Sequence, residues 1–455
     1  MTQDKTADSG IENEVSKGNK FQKPKGVHDI LPDTHEYFTF VKKVVRHRCR
    51  QSGFRRISTP IFEFTDVFKR SIGNDTDIVS KEMYTFQDRK GRSLTLKPEG
   101  TAGVVRSYIE HNMQLLPQPV ELYYIEPHFR YDRPQKGRFR QFWQFGFEMI
   151  GESDPALDAQ LIHLAHLINE DLGVAELFKL QINSIGCMKK ECRPRYMTDL
   201  KNFYFGKERS LCENCKGRTE KNPLRLLDCK EEDCVILAGL APTLKDYLCP
   251  ECKEYHEQLL DLLKALDIEY VENPSLVRGL DYYTKTVFEF WDRETGAQNA
   301  IGGGGRYDGL VEIMGGQPTP AVGFAAGIER IVDNMKREHI QVPRKDNLHV
   351  FVAQLGYEAK KKCLKLIQKL RDVGIKTVGA LGKASIKAQL HLADRFQAPY
   401  TIIMGITEVR DNTAIIRDMK RGSQKIVSYD KVLDEMKKLI GEESLDTYSP
   451  GEVVY

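Results

Sequence analysis

The chain has 455 residues, 40% of them hydrophobic, and its 68 lysines and arginines nearly balance its 65 aspartates and glutamates. This length predicts about two or three domains with ordinary globular cores. The near-neutral charge neither requires nor excludes a nucleic-acid partner, because such partners respond to local patches. No apolar run approaches the roughly 20 residues of a membrane span, and the polar start lacks a signal-peptide core. We therefore predict a cytoplasmic protein without a membrane partner, with a disordered tail over residues 1–20.

The first predicted element after this tail is an amphipathic helix. Asp33 is its expected N-cap, with Glu36 three residues further on, and Gly53 ends it. Apolar residues at helical spacing mark its buried face, namely Phe38, Val41, Val45 and Cys49.

The segments that follow alternate with a period of two residues. Residues 84–98, YTFQDRKGRSLTLKP, predict a hairpin that turns at Lys90 and Gly91. Residues 119–151 predict two strands joined by a loop. On the second strand the odd positions are apolar and predict the core face, namely Phe139, Trp143, Phe145, Phe147 and Met149. The even positions Arg140, Gln144 and Glu148 form a row of polar groups. This region therefore predicts an antiparallel sheet with helices beside it.

The order of elements predicts an α/β chain with an insertion. The expected catalytic domain has an α+β fold on a mixed, mainly antiparallel sheet, in two parts over residues 21–175 and 273–340. A helical, cysteine-rich insertion separates them over residues 176–272. Short strands alternate with helices over residues 346–441, which predicts a C-terminal α/β domain with a parallel core. Residues 442–455 are predicted to be a tail.

Eight of the ten cysteines lie in the predicted insertion, between Cys187 and Cys252. Such clustering favours metal over disulfides in a reducing compartment. The pairs Cys212, Cys215 and Cys249, Cys252 have the spacing of one four-thiolate structural zinc site. The remaining pairs, Cys187 with Cys192 and Cys229 with Cys234, either form a second site or extend the first. Reduced cysteines without a metal are the alternative.

Three arginines fall at the junctions of predicted elements. Arg130, Arg278 and Arg330 are each an ordinary surface or salt-bridge residue when taken alone. Together, and beside the carboxylates of Glu99 and Glu148, they indicate a site that handles a polyanion and a cation. The nearby glycine run, residues 301–310 (IGGGGRYDGL), lacks the pattern of a P-loop or a dinucleotide site. By itself it fits either close approach of a ligand or a bulged strand.

Several of these segments together resemble one family. Residues 129–151 (FRYDRPQKGRFRQFWQFGFEMIG) resemble motif 2 of class II aminoacyl-tRNA synthetases, and residues 321–331 (AVGFAAGIERI) resemble motif 3. Residues 278–290 (RGLDYYTKTVFEF) and 302–310 (GGGGRYDGL) are similar to the two signature motifs of histidyl-tRNA synthetases. The resemblance extends over about residues 21–440 and includes an anticodon-binding domain at the C-terminal end. Homodimers are typical of this family.

The resemblance implies a histidine–tRNA ligase, in which ATP and L-histidine form histidyl-adenylate and the histidine then passes to tRNA(His). Arg130 would bind the α-phosphate, Arg330 the γ-phosphate end, and Arg278 the reacting carboxylate and α-phosphate. Arg130 and Arg278 would thus be catalytic. Mg²⁺ would accompany ATP.

The resemblance also implies which residues bind histidine. Glu148 and Tyr283 would face the imidazole, which has one donor and one acceptor when neutral. The remaining residues of the implied histidine site hold the α-amino group or line the pocket, and they are Glu99, Gly100, Thr101, Gln144 and Tyr282. The position and partner of Asp281 stay open.

Two other functions remain as alternatives. A synthetase-like regulatory subunit of ATP phosphoribosyltransferase would bind histidine as a signal, but it typically lacks the C-terminal module and has a degraded RGLDYY segment. Another class II synthetase, for proline, threonine or glycine, would lack the two signature motifs. Both features are intact in this sequence.

Overall fold

The computed structural model describes residues 21–73, 76–134, 137–294, 300–343, 348–383 and 385–446. The chain divides into two compact units between residues 342 and 343. The predicted tail over residues 1–20 lies outside the described residues, as do residues 344–347 between the predicted domains and residues 447–455 of the predicted C-terminal tail. Among the helices of the described ranges, none is both long and apolar enough to span a membrane.

The first unit is built on an eight-stranded sheet with the order β1-β5-β6-β11-β10-β9-β7-β8. Two neighbouring pairs, β1 with β5 and β7 with β8, are parallel, and the other pairs are antiparallel. This mixed, mainly antiparallel sheet confirms the predicted fold class. Its strands are β1 (Arg55–Arg56), β5 (Val120–Phe129), β6 (Gln141–Ile150), β7 (Phe178–Ser184), β8 (Tyr270–Glu272), β9 (Thr284–Asp292), β10 (Gly302–Arg306) and β11 (Ala321–Gly327).

Within the described residues, the first unit also contains a small sheet and ten α-helices. The small sheet has the order β2-β4-β3, and its strands are β2 (Phe62–Phe64), β3 (Thr85–Gln87) and β4 (Ser93–Leu96). The strands β3 and β4 form the hairpin predicted at Lys90 and Gly91. The helices are α1 (Pro32–Gln51), α2 (Thr65–Ile72), α3 (Thr101–Glu110), α4 (Pro155–Asp171), α5 (Arg193–Tyr204), α6 (Glu213–Lys221), α7 (Glu232–Ala238), α8 (Pro250–Ala265), α9 (Leu310–Ile313) and α10 (Ile328–Arg337).

The first helix confirms its predicted apolar face but not its predicted cap. All four residues of that face are buried, and Gly53 follows the helix with a φ of 90°. Asp33 is not the N-cap, because the helix begins at Pro32 and Leu31 precedes it. Proline suits the first helical position, where its missing N–H would have no partner inside the helix. Asp33 instead places a negative charge in the first turn, where it interacts favourably with the helix dipole.

The predicted alternation is confirmed within β6 and divides the sheet into two faces. Phe139, predicted on the core face, precedes the strand and lies outside the core on that face, because the alternation holds only where the chain is in the sheet. Phe145, Phe147 and Met149 are buried in one core that also contains residues of α1, α4 and α10. Glu148 lies between them in sequence and points to the other face, where it is fully buried. Trp143 packs at the edge of the apolar core.

The predicted insertion begins and ends inside the large sheet. Its first residues form β7 and its last form β8, which pair with each other and, through β7, with β9. The predicted boundaries at 176 and 272 therefore include a sheet strand at each end. The sequence did not show this because a parallel edge pair becomes adjacent only after the intervening helices fold.

The second unit contains a five-stranded sheet with the order β13-β12-β14-β15-β16. Its first three strands are parallel, as predicted, and β15 and β16 add an antiparallel edge. The predicted tail from residue 442 begins with a 3₁₀ turn and Leu445, which packs on this core. The elements of this unit are β12 (Val350–Gln354), α11 (Tyr357–Asp372), β13 (Thr377–Gly379), α12 (Ile386–Arg395), β14 (Tyr400–Met404), α13 (Ile406–Arg410), β15 (Thr413–Asp418), β16 (Gln424–Ser428) and α14 (Val432–Ile440).

A fully buried ion pair joins the large sheet to α4. Arg306 on β10 donates to Asp158 Oδ1 from Nη2 at 2.6 Å and from Nε at 3.0 Å. Neither side chain has any exposed area. Arg306 Nη1 also donates to Asp308 Oδ1 at 3.1 Å, but Asp308 is partly exposed and is shared with Lys285. Removing Asp158 therefore leaves the buried charge largely uncompensated, which costs more than the pair itself contributes.

We expect Asp158→Asn to lower the free energy of unfolding of the first unit by about 3–5 kcal/mol. Urea unfolding followed by tryptophan fluorescence measures this, since both tryptophans, Trp143 and Trp291, lie in the first unit. The matched control is Asp171→Asn, which removes the more exposed pair with Arg48 and should cost less than about 1 kcal/mol. Equal losses in the two variants would contradict the prediction.

Candidate active site

A cavity of about 650 Å³ opens over the polar face of the large sheet. Gln144 on β6, Glu289 on β9, Gly303 on β10 and Ala325 on β11 form its floor. Glycines make room here, because a Cβ at Gly303 would lie 2.7 Å from Arg278 Nη1 and from Glu289 Cγ. The glycine run is therefore a strand of the site floor that lets charged side chains approach the backbone.

The structure brings the three predicted arginines to this cavity. Arg130 follows β5, Arg278 precedes β9, and Arg330 lies in the first turn of α10. Arg130 Nε donates to the carbonyl of Pro98 at 2.9 Å, and Arg330 Nε donates to the carbonyl of Gly137 at 3.1 Å. These contacts orient two guanidinium groups without neutralising them.

The arginines differ in how their charge is balanced. Burial lowers the pKa of Arg130 and of Arg330, and the neighbouring cations Arg138 and Arg130 lower that of Arg330 further. For Arg278, burial acts to lower the pKa, but the ion pair with Glu289 and the nearby Tyr283 and Tyr282 together outweigh it, and the pKa is raised. The Arg130 and Arg330 end of the cavity therefore favours an anion.

A buried carboxylate group lies beside these arginines. Thr101 Oγ1 donates to Glu148 Oε1 at 2.8 Å, and Tyr307 Oη donates to Glu148 Oε2 at 2.6 Å. Glu99 accepts hydrogen bonds from the backbone N–H groups of Thr101 and Ala102, at 2.7 and 2.8 Å. The start of α3 thus binds Glu99 through its backbone N–H groups and Glu148 through the hydroxyl of Thr101.

Aromatic rings enclose these carboxylates. The rings of Tyr282 and Tyr283 are 4.7 Å apart, and Tyr307 lies 5.7 Å from Tyr282. Gly100 faces the ring of Tyr124, where an added Cβ would lie 2.3 Å from Cζ. All ten predicted catalytic, ATP-binding and histidine-binding residues therefore lie either on the cavity or in the buried group next to it.

Burial is the main cause of an unusual pKa at Glu148. It raises the pKa of this carboxyl to about 8, although the hydrogen bonds from Tyr307 and Thr101 act in the opposite direction. Within the described residues, Gln144 Oε1 is also buried without a hydrogen-bond partner. A buried acceptor without a donor is costly, so this site is arranged for a ligand that supplies N–H groups.

The histidyl-tRNA synthetase family model matches residues 26–331, and a model described as an anticodon binding domain matches residues 349–439. The first match alone spans more than half of the chain. The chain belongs to the histidyl-tRNA synthetase family.

Similar proteins of this family cover nearly the whole chain. The histidine–tRNA ligase of Dehalococcoides mccartyi is 48% identical over 420 residues, 92% of this chain and 100% of that protein. The histidine–tRNA ligase of Desulforamulus reducens is 47% identical over 89% of this chain and 96% of that protein. The crystal structure of apo S. aureus histidyl-tRNA synthetase has a TM-score of 0.76 at 36% identity and covers 92% of this chain and 100% of that chain. These likenesses support the synthetase prediction over the regulatory paralogue.

Some site residues were missed by sequence reasoning. Tyr307 belongs to the second signature motif of histidyl-tRNA synthetases, yet only the fold shows that its hydroxyl reaches Glu148. Glu289 on β9 is opposite in parity to Phe288 and Phe290 but shares the parity of Val287 and Trp291, so alternation in the sequence did not mark it as a site residue. Asp281 accepts a hydrogen bond from Asn222 of the insertion at 2.7 Å.

The predicted four-thiolate set of Cys212, Cys215, Cys249 and Cys252 is wrong. The structure forms two separate groups, Cys187, Cys192, Cys249, Cys252 and Cys212, Cys215, Cys229, Cys234. Each group combines one Cys-x2-Cys pair with one Cys-x4-Cys pair that lies beside it after folding. The N-termini of α5 and α8 meet in the first group, and those of α6 and α7 meet in the second.

We expect the stability of the first unit to fall as the pH rises through the pKa of Glu148. The folded pKa of about 8 lies above the ordinary value of 4.5, so the folded state holds the proton more tightly than the unfolded state. The resulting stabilisation is complete below about pH 4.5 and is lost as the pH rises through about 8. Between pH 6 and 9, the free energy of unfolding of the wild type should fall by up to about 3 kcal/mol more than that of Glu148→Gln.

Tryptophan-monitored urea unfolding at several pH values measures this difference. Glu312→Gln, which replaces an exposed glutamate of the same unit, is the control and should keep the slope of the wild type. An unchanged slope in Glu148→Gln would contradict the raised pKa.

Proposed function

We propose that the chain activates L-histidine with ATP and transfers the histidine to tRNA(His). The observation that carries this proposal is the meeting of Arg130, Arg278 and Arg330 beside the buried carboxyl of Glu148. The arginines suit a triphosphate, while Glu148 offers an acceptor to the imidazole of histidine and Gln144 offers one to its α-amino group. Membership of the histidyl-tRNA synthetase family supplies the reaction that joins these two ligands.

Positioned cations are the main contribution that such a site makes to the first step. The histidine carboxylate attacks the α-phosphorus of ATP and pyrophosphate leaves, so negative charge accumulates where anions already meet. We assign Arg130 to the α-phosphate and Arg330 to the γ-phosphate end. Arg278 lies by the reacting carboxylate, and Glu289 fixes its orientation in advance through their ion pair.

Histidine recognition follows from hydrogen bonds that only a suitable ligand completes. We assign Glu148 and Tyr283 to the imidazole and Glu99, Thr101 and Gln144 to the α-amino group. Glu99 is fixed by two backbone N–H groups. Gly100 leaves space for the Tyr124 ring below this group. An apolar analogue would leave these buried groups unpaired, which is a strong basis for rejection.

Mg²⁺ is proposed to enter with ATP, where it neutralises charge on the outer phosphates. Glu82 and Asp132 line the cavity near Arg130 and have the oxygen ligands that this ion prefers. The residues present therefore fit a metal held by phosphates and one or two carboxylates.

Three further assignments belong to the same proposal. The second unit, with its match to an anticodon binding domain, would contact the anticodon of tRNA(His). The enzyme would act as a homodimer, as is typical of its family. Its compartment would be the cytoplasm, where its ten free cysteines would remain reduced.

The amino-acid specificity is tested by ATP–pyrophosphate exchange with purified protein and each of the twenty amino acids. We expect histidine to support exchange about 10⁴-fold better than apolar amino acids, because the buried polar groups penalise them. Exchange with a different amino acid would overturn the specificity. No exchange with any of them would favour a protein that only senses histidine.

We expect Arg278→Ala to slow histidine-dependent exchange by about 10²–10³-fold while changing the Kd of histidine far less. The physical reason is that its charge acts on the anion that develops during the reaction. Exchange kinetics and calorimetric histidine titration give the two quantities. Arg48→Ala, on the outside of α1, is the control for loss of an arginine, and equal losses in exchange and binding by Arg278→Ala would contradict the catalytic assignment.

A further inference from the structure

We propose that the insertion holds two structural Zn²⁺ ions, one in each group of four cysteines. The first site consists of Cys187, Cys192, Cys249 and Cys252, and the second consists of Cys212, Cys215, Cys229 and Cys234. Within each group, the four sulfur atoms all lie within 4.8 Å of one another.

The sulfur spacing matches a zinc tetrahedron. Cys187 Sγ and Cys249 Sγ are 3.7 Å apart, and Cys212 Sγ and Cys229 Sγ are 3.8 Å apart. Zinc–thiolate bonds of about 2.3 Å in a tetrahedron place neighbouring sulfurs about 3.8 Å apart. A disulfide requires about 2.05 Å, so these pairs are separate thiols at the distance that a shared metal imposes.

Backbone groups around both sites favour thiolates. The N–H of Cys187 donates to Cys192 Sγ and that of Cys212 donates to Cys234 Sγ, each at 3.3 Å. Cys192, Cys212 and Cys249 each immediately precede a helix of nine or more residues. N–H donors and helix dipoles stabilise negative sulfur, which is the form that binds metal.

A buried cation gives an independent reason for negative charge at the first site. Arg193 is 7% exposed, and its guanidinium donates to the backbone carbonyls of Ile185, Gly186 and Tyr283. Negative charge on three cysteines of the first site, Cys192, Cys187 and Cys252, would favour its charged form, as does Asp281. A buried arginine needs a compensating anion, and zinc bound by four thiolates carries a net charge of −2.

The same arginine connects the first site to the histidine pocket. Arg193 Nη2 holds the carbonyl of Tyr283 at 2.7 Å, and Tyr283 is a residue of the signature segment. A metal at this site would therefore hold β7, α8 and that segment together at the base of the insertion.

The second site lies behind a wall of the cavity. Arg218, one turn along α6 from Cys215, donates to Asp77 Oδ2 at 2.9 Å. Asp77, Arg225 and Cys229 line the cavity. A metal here would hold the short helices of the insertion, which bury few apolar residues of their own, in the conformation that closes the site.

Four thiolates also define which metal chemistry fits. Zinc is the usual occupant of tetrahedral four-cysteine sites, and its coordination is then saturated, so the role is structural. An iron–sulfur cluster also takes four cysteines, but it places larger distances between the sulfurs than a single ion does.

Metal analysis of the full chain, purified from zinc-replete cells without chelators or added metal, tests the proposal. We expect about two zinc ions per chain for the wild type and about one for either Cys187→Ser or Cys229→Ser. Combining the two substitutions should leave about none. Cys363→Ser, which removes a buried cysteine of the second unit, is the control and should retain both ions.

A second measurement does not depend on the folding of variants. The native wild-type protein is titrated with an organomercurial, and zinc release is followed with a metallochromic dye. We expect two zinc ions to be released as eight thiols react, and cobalt-loaded protein to show the visible bands of tetrahedral thiolate coordination. Zinc well below one per chain, stoichiometric iron with labile sulfide, or eight freely reactive thiols without metal release would each overturn the proposal. One zinc, lost in only one variant, would overturn the site that the other variant changes.

Discussion

The whole first unit depends on a sheet that is buried on both faces, with an apolar core on one face and, on the other, a second apolar cluster that surrounds polar groups. Aromatic rings such as Phe147 and Phe324 fill the first face, against which the helices α1, α4 and α10 pack. The opposite face then has to satisfy the Glu148 carboxyl within the protein, because buried polar groups are tolerated only with hydrogen-bond partners. Thr101 and Tyr307 supply those partners, so the same alternation that builds the core also builds the ligand site.

Glycine explains how one sheet can bring so many polar groups together. Gly323 pairs with Glu148, and a Cβ there would lie 1.7 Å from the carboxylate. Gly100 and Gly146 leave space for the ring of Tyr124 in the same way. Strand glycines lower the stability of a sheet, yet here the space without a side chain is filled by the Glu148 carboxyl and the Tyr124 ring, which build the binding site. The same glycine positions therefore affect both the stability of the sheet and the shape of the binding site.

The insertion solves a different problem. Its short helices α6 and α7 contain few buried apolar residues, and each buries one cysteine of the second group. Segments with so little core commonly need a covalent or metal crosslink to hold one conformation. The two four-cysteine groups stand where such crosslinks would be most effective, at the base of the insertion and beside the cavity. Arg193 connects the first group to Tyr283 by a hydrogen bond, and Arg218 connects the second group to Asp77 in the same way.

The sequence by itself determined the family, the alternating faces and the ten candidate site residues, because side-chain period and motif order are local properties that survive without coordinates. It did not indicate Glu289, because that residue shares its parity on β9 with apolar side chains. The tertiary structure alone decided contacts between distant segments. Among these are the reach of Tyr307 to Glu148, the buried pair of Arg306 and Asp158, and the edge strands β7 and β8. It also decided which cysteines form each group. Spacing along the chain identifies pairs of cysteines, but only the packing of the helix ends determines which two pairs lie together.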